Sequence, residues 1–215
     1  MRKRILSIVG AAALTLGVTA CSSSSDTGST ESVRATGGFW GVHGAQGSSE
    51  ADPPMSLTAI AERADLVVLG TVSGAEEGKD YTEEGKPPNR TSNLSIGVEQ
   101  SSDSGVSEAV VEITRDTATS LTDIQADLPK GRYVFYLSAW YDGPDGPVYR
   151  CASPAKCVVG VEEGDLETPR DPEAAEELRV PAEADQEKAA KNDSLTIEQV
   201  YDLSAEAVPA SGSAS

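Results

Sequence analysis

Apolar and polar residues alternate with period two in three stretches of the chain. Leu94, Ile96 and Val98 alternate with Ser95, Gly97 and Glu99. Ala109, Val111 and Ile113 alternate with Val110, Glu112 and Thr114. Tyr133, Phe135, Leu137 and Ala139 share one side of a longer segment that begins after Pro129-Lys130-Gly131. This spacing predicts strands with one buried face. Leu66-Val67-Val68-Leu69-Gly70-Thr71-Val72 does not alternate; a β-branched apolar run of that kind predicts a buried strand. Val148 to Arg150 and Val158 to Val161 add two short segments, and Asp142-Gly143-Pro144-Asp145-Gly146 is a tight turn. Between the first two strands, Gly74 to Ser92 reads as a charged loop in which Pro87-Pro88 forbids a helix. Strands at these intervals suit a small barrel or sandwich rather than alternating βαβ units.

Helical spacing is confined to the edges. Leu57, Ile60, Ala61 and Ala64 fall on one face of a short helix, with Ser56 or Thr58 as cap. Thr196 and Gln199 fit a capping box, Leu195 is placed to staple to Val200, and Ile197, Val200, Tyr201 and Leu203 form an apolar stripe. The expected organisation is a leader over 1–20, a Ser/Gly-rich tether over 21–52 and a β domain over 53–165. An acidic surface segment over 166–193, with a helical turn at Pro172 to Leu178, precedes a helix over 194–208 that packs on the domain and a disordered tail over 209–215. Within the tether, Phe39-Trp40-Gly41-Val42-His43 either docks on the domain or serves as an exposed contact, and His43 reads as an incidental linker residue.

The leader changes the picture. Arg2, Lys3 and Arg4 precede an apolar run from Ile5 to Val18 that suits a secretory signal and is too short to span a bilayer comfortably. Val18-Thr19-Ala20-Cys21 resembles the lipobox of bacterial lipoprotein signal peptides, with Val18 where Leu is usual. The resemblance implies cleavage before Cys21 and lipidation of its sulfur. Two or three acyl chains, at roughly 0.8 kcal/mol per buried CH₂, would hold the protein on the extracytoplasmic side of the cell membrane. The tether and tail are similar in composition to those of actinobacterial lipoproteins.

The net charge is −18 over 215 residues, and the leader removes three positive residues from it. Such a field repels nucleic acid and keeps a tethered domain soluble. Cys151 and Cys157 remain as an even pair in an exported chain, which predicts a disulfide around a short loop. The alternative, a two-ligand metal site, lacks a nearby His or further Cys to complete it.

From Leu57 to Val161 the order of a helix, Ala64-Asp65-Leu66-Val67-Val68-Leu69-Gly70-Thr71-Val72, and then Gly131-Arg132-Tyr133-Val134-Phe135-Tyr136-Leu137 resembles a set of small exported bacterial domains of unknown function. The resemblance implies an OB-like five-stranded barrel, so that with the helices read above the expected fold is mainly β, with a short N-terminal helix and a C-terminal helix. It brings no catalytic residues with it.

Catalytic chemistry finds little support. His43 is the single histidine and lies in the lead, so Ser-His-Asp and Cys-His arrangements have no positioned imidazole. Ser153-Pro154-Ala155-Lys156 matches the S-x-x-K pattern, but its companion S-D-N and K-T-G elements do not occur. Glu76-Glu77, Glu83-Glu84 and Glu162-Glu163-Gly164-Asp165 are candidates for weak Ca²⁺ binding, yet none matches an EF-hand. No cofactor or resident metal is expected. Tyr136, Trp140, Tyr141 and Tyr149 flank the Asp142–Gly146 turn and are candidates for a contact surface, with core and rim packing as the alternative. The expectation is a lipid-anchored, non-catalytic binding protein of the cell envelope, with a protein or envelope ligand as partner. Contact is expected through the Gly74–Ser92 loop, the Tyr141–Tyr149 hairpin, or both. A small carboxylate-dependent envelope hydrolase and an inhibitor of an exported hydrolase are the alternatives.

Overall fold

A computed structural model describes residues 38–43, 50–82, 84–85, 89–178 and 195–209. The leader, Cys21, most of the tether, residues 179–194 and the tail beyond Pro209 lie outside the described residues.

The chain is mainly β. The described residues form seven strands, β1 (Leu66–Tyr81), β2 (Asn89–Ser101), β3 (Glu108–Arg115), β4 (Arg132–Gly143), β5 (Gly146–Cys151), β6 (Val158–Glu162) and β7 (Asp165–Glu167). They form one mixed sheet in the order β1-β2-β3-β5-β4-β6-β7, and a further β1–β4 pairing makes a ring of five strands. Among the described strands, β3 and β5 are the one parallel pair. The expected count of five strands therefore holds for the ring alone, because β6 and β7 extend the sheet beyond β4. β5 and β6 pair with successive parts of the same edge of β4, and the Cys151–Cys157 loop joins them. There the two sulfurs lie at disulfide-bonding distance, with Cα atoms 5.2 Å apart.

Alternation explains both cores. Leu66, Val68, Phe135 and Leu137 pack with Leu94, Ile96, Val111, Ile113 and Tyr149 in one cluster. The intervening Val67, Leu69, Val134 and Tyr136 pack in a second cluster with helices α2 (Leu57–Ala61) and α5 (Ile197–Ala205). Each of β1 and β4 is thus covered on both faces, which is why Leu66–Leu69 has no polar alternation. Ser56 caps α2 through its side chain, and the Thr196–Gln199 capping box is formed at α5.

Other segments decide between the expectations or depart from them, and the aromatic cluster of the tether takes the docked alternative. Residues 38–43 form a helix, α1, whose Phe39 and Trp40 enter the first cluster against Tyr133 and Phe135. His43 is buried on α1 with its ring 4.9 Å from that of Phe39, so it is a packed residue and not an incidental one. Gly74–Ser92 is mostly strand: β1 continues to Tyr81 and pairs with β2 down to Asn89, so the polar residues form a two-stranded ribbon in place of a loop. A Cβ at position 78 would run into Thr91, so Gly78 permits the close approach of the two strands. A further helix, α3 (Leu121–Ala126), inserts Ile124 into the first cluster behind a Ser120–Asp123 capping box. The stretch after residue 165 is not wholly a surface segment. β7 and α4 (Pro172–Leu178) bury Leu166, Ala174, Ala175 and Leu178.

Among the described residues, no helix is long and apolar enough to cross a membrane.

Candidate functional site

The β1–β2 ribbon and the β4–β5 hairpin bring polar and aromatic side chains together around one carboxylate, Glu112 of β3. Its side chain is only 1 % exposed. Glu112 lies at the middle of a strand whose neighbours Val111 and Ile113 point into the first core cluster, so period two sends it to the opposite face.

A buried carboxylate needs donors, and four strands supply them. Arg150 of β5 donates through Nε and Nη2 to Oε1, at 3.1 and 2.7 Å. Tyr81 of β1 donates its hydroxyl at 3.1 Å from each carboxylate oxygen. Thr91 of β2 lies 3.2 Å from Oε2 and 2.7 Å from the Lys79 carbonyl, and its single proton serves one of them at a time. The Tyr141 hydroxyl of β4 is 3.4 Å from Oε2. Lost hydration and the nearby Glu112 carboxylate raise the Tyr141 pKa above the usual phenol value, and Asn93 partly offsets this.

Trp140 forms the rim of this cluster. Its indole N–H donates to the Tyr81 hydroxyl at 3.1 Å. The Arg150 guanidinium carbon lies 3.5 Å from the centre of its ring. Tyr81 therefore accepts from Trp140 while donating to Glu112, and Arg150 binds Glu112 while stacking on Trp140. The indole is held at its edge and on one face, yet Trp140 remains 49 % exposed. Beside it, the Lys79 ammonium sits 3.7 Å from the Tyr141 ring centre. Arg115 at the end of β3 makes a bidentate pair with Glu77 of the ribbon.

The four aromatic candidates separate into two groups. Trp140 and Tyr141 belong to this surface. Tyr136 and Tyr149 do not: Tyr136 is 0 % exposed in the second core cluster, and Tyr149 packs in the first. The Tyr136 hydroxyl donates to Ser204 of α5 at 2.6 Å, while Ser204 donates to the Val200 carbonyl at 2.7 Å. Burial pushes the Tyr136 pKa far above the phenol range, with the Ser204 contact opposing it. Sequence reasoning missed Glu112, Tyr81, Thr91 and Arg150. The available signal was a lone acid within a β-branched strand.

The other candidates have structural surroundings. Ser153 is fully buried and donates to Glu50 at 2.8 Å, while buried Lys156 donates to the Pro54 carbonyl at 2.8 Å. The S-x-x-K pair thus ties residues 50–54 to the disulfide loop and offers no accessible nucleophile. Glu162-Glu163-Gly164-Asp165 is the β6–β7 turn, with positive φ at Glu163 (52°) and Gly164 (89°). On that hairpin, burial and a hydrogen bond with Glu162 raise the Glu167 pKa. Among the described residues, no group of three His, Cys, Asp or Glu side chains could hold a metal ion. The guanidinium of Arg170, with its pKa lowered to about 10 by burial, contacts both disulfide sulfurs.

Compared with known families, curated proteins and solved structures, the chain matches no family model, no curated protein and no solved structure.

Proposed function

We propose that this chain is a lipid-anchored, extracytoplasmic binding module of the bacterial cell envelope. It is held by acyl chains on Cys21 and makes contact through the face around Glu112 and Trp140. The observation that carries the reading is Trp140, half exposed yet fixed by Tyr81 and Arg150. An aromatic ring already held in place loses little freedom on contact, so its burial is available for affinity. The ring order β1-β2-β3-β5-β4 with a single parallel pair supports an OB-like barrel, and the β1–β2 and β4–β5 connections flank the surface such barrels use for ligands. The leader and the Val18–Cys21 tetrad support the anchor. Glu112 engages donors from four strands, which supports a structural carboxylate and a non-catalytic site.

The test is crosslinking capture from intact bacteria expressing the full chain, a Cys21→Ser variant and a Trp140→Ala variant. The expected result is a membrane-bound full chain that captures an envelope component, lost with Trp140→Ala, and a Cys21→Ser chain released from the membrane or left unprocessed. Unchanged membrane fractionation of Cys21→Ser overturns the anchor, and capture indifferent to Trp140 overturns the surface. Turnover of cell-wall or ester substrates that one Asp or Glu substitution abolishes would make the protein a hydrolase instead.

A further inference from the structure

The chemistry around Trp140 narrows the class of ligand. Among the described residues, the large apolar side chains that are strongly exposed are Met55 and Trp140, at 50 % and 49 %. The groups that fix Trp140 are polar, a guanidinium and a phenol hydroxyl, with the Lys79 ammonium over Tyr141 beside them. A protein–protein hot spot is centred in a packed patch that excludes water, whereas this ring is half exposed and is fixed by hydrogen-bonding groups. A single flat ring among hydrogen-bonding groups matches a sugar ring instead, with its C–H face against the indole and its hydroxyls toward the polar rim.

Orientation favours the same ligand. The indole edge is taken by Tyr81 and one face by Arg150, so half of the residue's surface is presented outward in a set direction. Tyr141 carries Lys79 on one face as Trp140 carries Arg150, but Trp140 is the more exposed of the two rings. The net charge of −18 works against polyanions, whether nucleic acid or acidic glycan.

We propose that Trp140 is the stacking platform for a neutral oligosaccharide, with Arg150 at its rim and the buried Glu112, through Tyr81 and Arg150, holding the platform in place. The proposal rests on the binding-module reading above. For a single stacking platform, affinity is on the order of millimolar. Display of many copies on one membrane would raise the effective affinity for a polymer.

Tryptophan emission tests this on the full chain purified in detergent, because Trp40 is buried and Trp140 is exposed. The probes are β-1,4-linked glucose, mannose and N-acetylglucosamine oligosaccharides, with oligogalacturonate as the anionic control. At least one neutral probe should change the emission saturably and protect it from iodide quenching, with oligogalacturonate about tenfold weaker. Because Trp140→Ala removes the reporter, the variants are read by ligand-observed NMR. Trp140→Ala should lose binding at least about tenfold, and Trp140→Phe, which keeps a smaller ring, should lose less. If Trp140→Ala lowers the melting temperature, Trp140→Phe alone decides the matter. No saturable response to any neutral probe at tens of millimolar overturns the proposal, as does binding undiminished in the variants or preference for the anionic probe. Capture of an envelope protein through Trp140 without saccharide binding would remove the glycan and leave the binding module standing. Saccharide binding by a Cys21→Ser chain that still fractionates with membranes would do the reverse for the anchor.

Discussion

The wall formed by β1 and β4 and the wall formed by β2, β3 and β5 belong to the same ring of strands but are finished differently. On the first, Leu66–Leu69 and Val134–Leu137 are buried on both faces, because α2 and α5 cover the side turned away from the first core cluster. On the second, the interior face is as apolar, with Leu94, Ile96, Val111 and Ile113. The other face carries Thr91, Glu112 and Arg150 tied into one network with Tyr81 and Tyr141. Where helices supply a cover, the strand places hydrocarbon outside as well as inside. Where none is supplied, the same strand periodicity must present groups that satisfy one another. The polar network therefore gathers on the uncovered wall, where Tyr81 from the end of β1 and Trp140 and Tyr141 from the end of β4 join it.

The comparison can be broken most severely on the covered wall. Phe135→Ala removes a fully buried ring that touches both the first cluster and α1. It should cost about 3–5 kcal/mol and lower the urea midpoint without changing the slope.

On the uncovered wall, Glu112→Ala should cost less, about 2–3 kcal/mol. It strands the Tyr81 hydroxyl, but the Arg150 side chain is 38 % exposed and rehydrates. Trp140 should also become easier to quench once Tyr81 and Arg150 lose their common anchor. A loss of stability matching that of Phe135→Ala would make this network a second core, not a dressed surface.

The smallest effect sharpens the comparison by pH. Tyr136→Phe removes the hydroxyl that joins β4 to α5 and should cost about 1 kcal/mol at neutral pH. Because burial raises the folded-state pKa of Tyr136 above its unfolded value of about 10, the folded protein holds that proton longer. Its contribution is complete below about pH 10 and is lost as pH climbs from there toward the raised value. Urea midpoints measured between neutral pH and pH 11 should fall more steeply for the wild type than for Tyr136→Phe. Parallel curves would place the hydroxyl in water.

Much of the strand layout was legible in the chain. Leu94–Ile96 and Ala109–Val111–Ile113 declare a one-sided strand through nearest-neighbour alternation, and the Thr196–Gln199 box declares a helix start within four residues. The polar ribbon was harder. Glu77, Lys79 and Tyr81 carry no apolar period, yet ladder hydrogen bonds to β2 keep β1 extended through them. Helix α3 has six residues, too few to show a stripe, and Ile124 makes sense only once the core it fills exists. Aromatic type was equally silent on placement. Tyr136 and Trp140 stand four residues apart in one strand, and an α-helix far along the chain buries the first and not the second.

By itself, the sequence determined the elements whose causes are local: alternation, caps, tight turns, the charge balance and the spacing of the cysteine pair. The tertiary structure alone decided which outward-facing residues are covered and which are gathered. Glu112 meets Thr91, Tyr141, Tyr81 and Arg150 across 21, 29, 31 and 38 residues of chain. Closure of five strands into a ring creates that meeting, and no window of sequence contains more than part of it. A buried carboxylate is tolerable only where several donors converge, and convergence is a property of strand order, not of any one strand.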